Sequence, residues 1–442
     1  MENTLTTKQI FKQLLTFTVP LILSGILQQI FNWVDAYIVG NVIGENALTQ
    51  IGVTTSLYNL FITTIVGFTS GLSILAAQQY GIGNKGLIQN LLSSYSKLIF
   101  AVITVICCVS IIFTEQILHL LNTPANAFSG AKAYISIMLV GIPFISIYNV
   151  YSGVLRGIGN SKTPFIAILI SSSVNVVLDL LFVAVINLEV AGAAIATVIS
   201  QVIMTVFIVI YTAKKYPWLK FKVFEKPDKG IFYQGNKYSL PPAIQSGVSS
   251  TGNILLQKFM NSFGSQTVAA ITTAYRVDTI LLLPITNFST GISTLVAQNL
   301  NSTNKALSKN IFKLGIILMA IISLMLTAVI LIFGETLISM FGLTAKSTAI
   351  GKSFFITISK FYIIYGLSMA IRGYLEGISD MIFSGIAGIL SLAVRIICSY
   401  LFAGVFNNMV IAYAEAFSWI FLFIIFVARY FYKNHKFKIR DK

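Results

Sequence analysis

The sequence predicts an all-α polytopic membrane protein: twelve transmembrane helices in two parallel six-helix bundles around a central cavity. Three observations carry that reading. Of 442 residues, 56% are hydrophobic and only 10% are charged, where a soluble chain carries about a quarter charged residues. The apolar residues come in unbroken runs, and residues 316–333 (IILMAIISLMLTAVILIF) hold no charge at all. A run of that length crosses ~30 Å of hydrocarbon as a helix. Finally, segments of the first half recur in the second at a constant offset of 220 residues.

The first span is expected at 14–40. Ile10, Leu14 and Phe17 precede and enter it on one face, an amphipathic lead-in expected at the membrane surface. Two lysines before an apolar stretch also suit a signal peptide. However, no small-residue cleavage site closes the stretch, and it continues through Gln28, Asn32 and Asp35, so it reads as a spanning helix. Gly, Asn, Pro and charges then bound spans at 48–80, 91–114, 130–156, 163–186 and 190–213. A second set follows at 236–263, 267–300, 310–333, 349–374, 382–404 and 408–432. They are read as helices because a lone apolar segment in lipid must satisfy its own backbone hydrogen bonds. They do not alternate as barrel strands do. The longest polar connection, Lys214 to Lys237, lies at the midpoint. The expected organisation is a bundle over 1–213, a cytoplasmic linker over 214–235, a second bundle over 236–432 and a tail over 433–442.

Charge sets the orientation. With the N-terminus in the cytoplasm, 23 of the 30 basic residues fall on the cytoplasmic side. Lys132, Lys258, Lys346, Lys352 and Lys360 fall at or near the other side, and Arg276 and Arg395 lie inside spans. The positive-inside rule then places both termini in the cytoplasm of a multi-pass cell-membrane protein. The net charge of +16 is explained by those flanking residues, and nucleic acid is not an expected partner. Cys107, Cys108 and Cys398 all lie in apolar runs and are expected to be small buried hydrophobes, with no disulfide or metal spacing.

The repeat is specific. GLSILAAQQY (71–80) matches GISTLVAQNL (291–300) at five of ten positions. Asn84-Lys85 recurs as Asn304-Lys305 and Asn90 as Asn310, while SGVLRGIGN (152–160) matches RGYLEGISD (372–380) at Gly, Leu, Gly and Ile. Six spans is an even number, so the halves share one orientation and an axis along the membrane normal. Two equivalent bundles with a midplane cavity between them is the architecture of an alternating-access transporter.

Polar residues inside the spans locate the chemistry. An aspartate at a helix centre costs about 2.5–3.5 kcal/mol to insert, so it is expected to face a cavity or a partner. Asp35, Asp179, Asp278 and Glu415 lie within or near spans. Asp179, Asn175 and Ser171 are spaced by four and form one polar face of the fifth span. Gln28, Asn32 and Asp35 form another on the first span, where Pro20 removes a backbone hydrogen bond and offers a kink. Thr197 lies in the small-residue run AGAAIAT of the sixth span, where helices approach closely. Two carboxyl groups on facing helices, with amides and a hydroxyl, make a site for a proton or for Na+. At the offset of 220, Asp35, Asn175 and Asp179 become Leu255, Arg395 and Ser399. The seventh span instead carries Gln245, Ser249, Asn253 and Gln257, a neutral stripe suited to a watery cavity. The ion site is therefore expected in the N-terminal half. Arg276 and Asp278 stand two apart and do not face each other, so each should pair elsewhere, Asp278 with Arg395.

Other motifs carry no chemistry here. Gly81-Ile-Gly83-Asn-Lys-Gly86 fits a dinucleotide fingerprint but follows a membrane helix rather than a strand. Gly159-Asn-Ser-Lys162-Thr163 lacks the glycine spacing of a phosphate loop. The two histidines, His119 and His435, suit neither a proton relay nor zinc, and Asn301-Ser302-Thr303 is a glycosylation pattern on the expected cytoplasmic side. No paired-aspartate or metal-ligand motif supports an enzyme.

Taken together, the chain resembles the multidrug and toxic compound extrusion (MATE) family over nearly its whole length. VDAYIVGNVIG (34–44), GLSILAAQQYGIGNKG (71–86), VLRGIGNSKTP (154–164), NVVLDLLF (175–182) and VAGAAIATVISQ (190–201) look like that family's motifs. The resemblance implies secondary active efflux of small organic, often cationic, compounds in exchange for H+ or Na+, with no cofactor and a monomeric protein in lipid. It implies coupling roles for Pro20, Gln28, Asp35, Asn175, Asp179 and Thr197. The seventh span has no carboxylate, so the C-terminal acidic ion residues of another branch have no counterpart there. The alternative is a lipid-linked saccharide flippase of the same broad superfamily. Such a protein needs several basic residues for a pyrophosphate, and the spans offer only Arg276 and Arg395.

Overall fold

A computed structural model describes residues 6–121, 123–222, 229–300 and 305–440, and every regular element among them is helical. The Asn301-Ser302-Thr303 pattern, Asn304 and the centre of the expected linker, 223–228, lie outside the described residues. In chain order the helices are α1 (Thr7–Val42), α2 (Glu45–Gly81), α3 (Lys85–Ile112), the short α4 (Thr114–Leu120) and α5 (Ala125–Gly157). Next come α6 (Lys162–Asp179), which passes into a π-helical turn over Leu180–Val185, and α7 (Glu189–Lys215). The second half contains α8 (Lys229–Asn261), α9 (Ser265–Leu281), α10 (Leu283–Leu300), α11 (Lys305–Ser339), α12 (Ala345–Ser359) and α13 (Tyr362–Gly377). It closes with α14 (Met381–Leu401), the short α15 (Ala403–Phe406) and α16 (Val410–Arg440).

Ten helical segments among the described residues are long and apolar enough to cross a membrane, and α12 with α13, bent by 49° at their break, makes up to eleven. The segment expected as the seventh span is α8. Its 33 residues are long enough, but it is not among the ten. Its polar side chains, among them Gln245, Ser249, Asn253 and Gln257, explain why. α9 and α10 together form one of the ten, Ser265–Leu300. They are interrupted at Leu282, just before Pro284, whose missing N–H and ring break the hydrogen-bond ladder.

The chain packs as two compact units. One comprises residues 19–243 and is called here the N-terminal unit; the other comprises 1–18 with 244–442 and is called the C-terminal unit. In the N-terminal unit α5 packs against α2, α3 and α7; in the C-terminal unit α13 packs against α10, α11 and α16. The glycines shared by the repeats make the closest crossings. A Cβ on Gly157 would stand 2.6 Å from the Ser73 carbonyl oxygen, and one on Gly377 would stand 2.8 Å from that of Ser293. Gly153 and Gly373 meet the carbonyls of Thr69 and Ser289 in the same way. The repeat is thus kept where backbone touches backbone and no side chain fits.

The helix starts α1 and α8 are exchanged between the units. Tyr238 and Ser239 of α8 press on Gly71 in the N-terminal unit, and Phe17 and Thr18 of α1 press on Gly291 in the C-terminal unit. This corrects the expected surface lead-in. Ile10, Leu14 and Phe17 are 2%, 0% and 4% exposed. Ile10 and Leu14 join Ile285, Phe288, Ile292 and Leu295 in one core. An apolar face with helical spacing serves a protein core as well as a membrane surface. α1 is continuous through Pro20, which lies two residues beyond the point where the helix changes unit. Of the cysteines, Cys107 is buried but Cys108 is exposed, against expectation, and all three are free. Two exposed ion pairs also follow the repeat: Glu115 with Lys132, and Glu335 with Lys352 at 2.6 Å. The Lys132 ammonium holds the Glu115 carboxyl below the usual carboxylate range.

Candidate functional site

Within the N-terminal unit, α1 and α6 bring Asp35 and Asp179 side chain to side chain, within hydrogen-bonding reach of each other. Asp179 is fully buried, and Asp35 is half-buried. Asp35 Oδ1 and both oxygens of Asp179 are buried and accept no hydrogen bond among the described residues. Burying carboxylate oxygens without a donor is costly. Two of them in contact repel unless a proton or a cation is held between them. The π-helical turn that begins at Leu180 follows Asp179 directly, and such turns recur at functional positions in helices.

One turn back on α6, Asn175 Nδ2 donates to Thr197 Oγ1 on α7 at 3.4 Å, and Thr197 Oγ1 donates to the Ala193 carbonyl at 3.0 Å. Ser171 Oγ donates to the Ser200 carbonyl at 3.0 Å, so the α6 stripe faces α7 along its length. Gln28 and Asn32 are exposed and make no hydrogen bond among the described residues. The structure therefore brings Asp35 to Asp179 and Asn175 to Thr197, two contacts one turn apart on α6, and leaves Gln28 and Asn32 outside this network.

Sequence reasoning missed the aromatic wall of this site. Tyr134 of α5, 7% exposed, lies close enough to interact electrostatically with Asp35, Asp179 and Tyr58. Gln201 Nε2 of α7 donates to the Tyr58 hydroxyl of α2 at 2.8 Å, while Gln201 Oε1 is buried and unbonded. Gln201 was findable, standing four residues beyond Thr197 on the same face. The tyrosines were not, since each is one of 19 in an aromatic-rich chain.

The C-terminal unit holds a cavity of about 360 Å³ whose lining includes Asn253, Gln257, Tyr275, Asp278, Arg395 and Glu415. Sequence reading placed Asn253, Asp278 and Arg395 among cavity or structural residues, and the three do share this wall. The expected pairing of Asp278 with Arg395 is corrected. Arg395 Nη2 bonds Glu415 Oε2 at 3.0 Å and the Tyr275 hydroxyl at 2.7 Å, with its guanidinium 5.6 Å from the Tyr275 ring centre. α14 lies along α16, which supplies Glu415 as the partner. Asp278 Oδ1 instead accepts from the hydroxyl of Tyr362, the first residue of α13 after the bend. Gln245 accepts from Arg372 at 2.9 Å and does not line the cavity, and Arg276 is exposed with no ion pair among the described residues.

The MatE family model matches residues 20–181 and again residues 241–401. The chain belongs to the MatE family. The two matches begin 221 residues apart and end 220 apart, in register with the internal repeat of this MatE chain. MatE proteins are membrane transporters rather than enzymes, in keeping with the many apolar helices. Among its relatives is "Probable multidrug resistance protein YoeA" of Bacillus subtilis, 26% identical over 391 residues, which cover 87% of this chain and 84% of that one. Another is "Multidrug export protein MepA" of Staphylococcus haemolyticus, 26% identical over 340 residues, 75% of this chain and 74% of that one. The fold matches that of a MATE crystal structure "in the bent conformation" with a TM-score of 0.91 at 20% identity, over 98% of this chain and 97% of that one. It also matches an outward-facing multidrug resistance MATE transporter at a TM-score of 0.87 and 21% identity, over 95% and 94% of the two chains.

Proposed function

We propose that this MatE protein is a secondary active efflux transporter that exports small organic, often cationic, compounds in exchange for H+ or Na+ by alternating access. The names of its relatives support export of drugs. The observation that carries the coupling assignment is the contact of Asp35 with Asp179, whose buried oxygens have no donor. A proton or Na+ taken up there removes one of the two negative charges that α1 and α6 would otherwise hold in contact. Asn175 and Thr197 line the same face and position the α6 stripe against α7. Loading changes the charge at the outer part of α1, and Pro20, with no N–H to give, is the place where that helix bends. For exchange to follow, ion and substrate must each bind the two transport states unequally. Both termini are assigned to the cytoplasm, with the plasma membrane as the location.

The test is export of a fluorescent organic cation from proteoliposomes under a Na+ gradient and, separately, a pH gradient. The wild-type protein exports under one of them, and Asp179→Asn, nearly equal in size, abolishes that export while leaving the yield of folded protein unchanged. Full export by Asp179→Asn removes the assignment.

A further inference from the structure

The cavity of the C-terminal unit has a charge balance that the coupling site does not explain. Its wall holds two carboxylates and one guanidinium. Glu415 and Arg395 satisfy each other at 3.0 Å. Asp278 is 3% exposed, lines the cavity and has no cation within ion-pair distance among the described residues; its one bond comes from the Tyr362 hydroxyl, which is neutral. One acidic group is therefore left at the cavity wall without a cation partner among the described residues.

The amide side chains on the same wall also offer free acceptors. Gln257 already donates its Nε2 to Asn261 Oδ1 at 2.9 Å, which leaves its carbonyl oxygen to receive a donor. Asn253 is exposed on the same wall with no bond among the described residues. Aromatic surface, by contrast, is already in use. Tyr275 has the Arg395 guanidinium over its ring at 5.6 Å and Phe354 against its edge at 5.3 Å. Phe259 packs on Tyr400 at 4.7 Å and on Phe263 at 5.3 Å. A quaternary ammonium has no N–H and depends on aromatic faces. A protonated primary or secondary amine has N–H donors for a carboxylate and amide carbonyls.

We propose that this cavity is a binding site for the protonated primary or secondary amine group of an organic ligand, held by Asp278 with Asn253 and Gln257, and that it discriminates against quaternary ammonium groups. Arg395 acts there as a built-in cation: it covers Tyr275 and neutralises Glu415, so that only Asp278 is left to the ligand. The proposal rests on the reading that the protein moves organic cations, and it names a head-group chemistry and a place for them apart from Asp35 and Asp179.

The test is calorimetric binding of 1-naphthylmethylammonium and of its N,N,N-trimethyl analogue to the purified full-length protein, with no ion gradient. The wild-type protein is expected to bind the primary amine about tenfold or more tightly than the trimethyl analogue, the worth of a charge-assisted hydrogen bond. Asp278→Asn keeps an oxygen for Tyr362 and is expected to bind the amine as weakly as the analogue. Equal binding of the two ligands by the wild-type protein, no binding of the amine, or undiminished binding by a folded Asp278→Asn overturns the proposal. If Asp278→Asn is not recovered folded, Asn253→Leu at the exposed wall is the substitute: reduced affinity for the amine supports the site, and unchanged affinity overturns it. A wrong coupling assignment at Asp35 and Asp179 would show in gradient-driven export and leave this binding result untouched.

Discussion

The two units are built on one repeat, and they diverge where charge is buried. In the N-terminal unit α6 carries Asn175 and Asp179, and its carboxylate meets a second one, Asp35, with no ion pair among the described residues. At the equivalent positions of α14 stand Arg395 and Ser399, and Arg395 is closed onto Glu415 and Tyr275. At these equivalent positions one unit has a carboxylate with no ion pair among the described residues, whereas the other has a guanidinium paired with Glu415. The same backbone frame supports both because the shared residues are the crossing glycines and the apolar faces, while the polar stripes are free to differ.

Three sets of substitutions probe that contrast. Asn175→Arg places the tethered cation of the C-terminal unit one turn from Asp179, where it should occupy the carboxylate pair permanently. Gradient-driven export in proteoliposomes is expected to fall to background while folded protein is still recovered. Retained export would mean that the pair is not where the ion is taken up. Next in size is the ion pair of the C-terminal unit. Arg395→Gln strands Glu415, and breaking a buried pair from one side costs about 3–5 kcal/mol. The double variant Arg395→Gln, Glu415→Gln is expected to regain most of the lost thermal stability. If the single and double variants melt alike, Arg395 does not act by neutralising Glu415. The smallest effect is expected where the units are the same. Gly157→Ala and Gly377→Ala each push a methyl into a carbonyl 2.6–2.8 Å away, an overpacking cost of about 1–3 kcal/mol. The two should lower the melting temperature by similar amounts, and a large difference between them would show that the equivalent crossings are not equally tight.

Much of the proposed coupling site was legible in the chain because helical spacing is a local property. Asn175 and Asp179 four apart, with Ser171 before them, announce one face of one helix, and lipid makes any carboxylate on that face conspicuous. The same logic over-reached at Gln28 and Asn32. They share a stripe with Asp35, yet they are exposed and bond nothing in the network. A stripe says which residues point one way, not how far along it a neighbouring helix reaches. Partnership between helices was not legible either. The sequence reading paired Arg395 with Asp278, and packing of α14 along α16 gives it Glu415 instead. Tyr134 and Tyr58 enter the site through α5 and α2, with no spacing to mark them among many other aromatic residues.

By itself the sequence determined the helical membrane class, the two-fold repeat and the half in which the carboxylate pair lies. These follow from hydrophobic run length, from matches at one offset and from the cost of charge in hydrocarbon, all of which act along the chain. Tertiary structure decided that the first turns of α1 belong to the core of the C-terminal unit and the first turns of α8 to that of the N-terminal unit. It also decided that Glu415 keeps Arg395 while Asp278 has no ion pair among the described residues. Both outcomes depend on which helices touch, and an apolar face or a lone charge is equally satisfied by many partners until the packing of glycine on backbone leaves room for one.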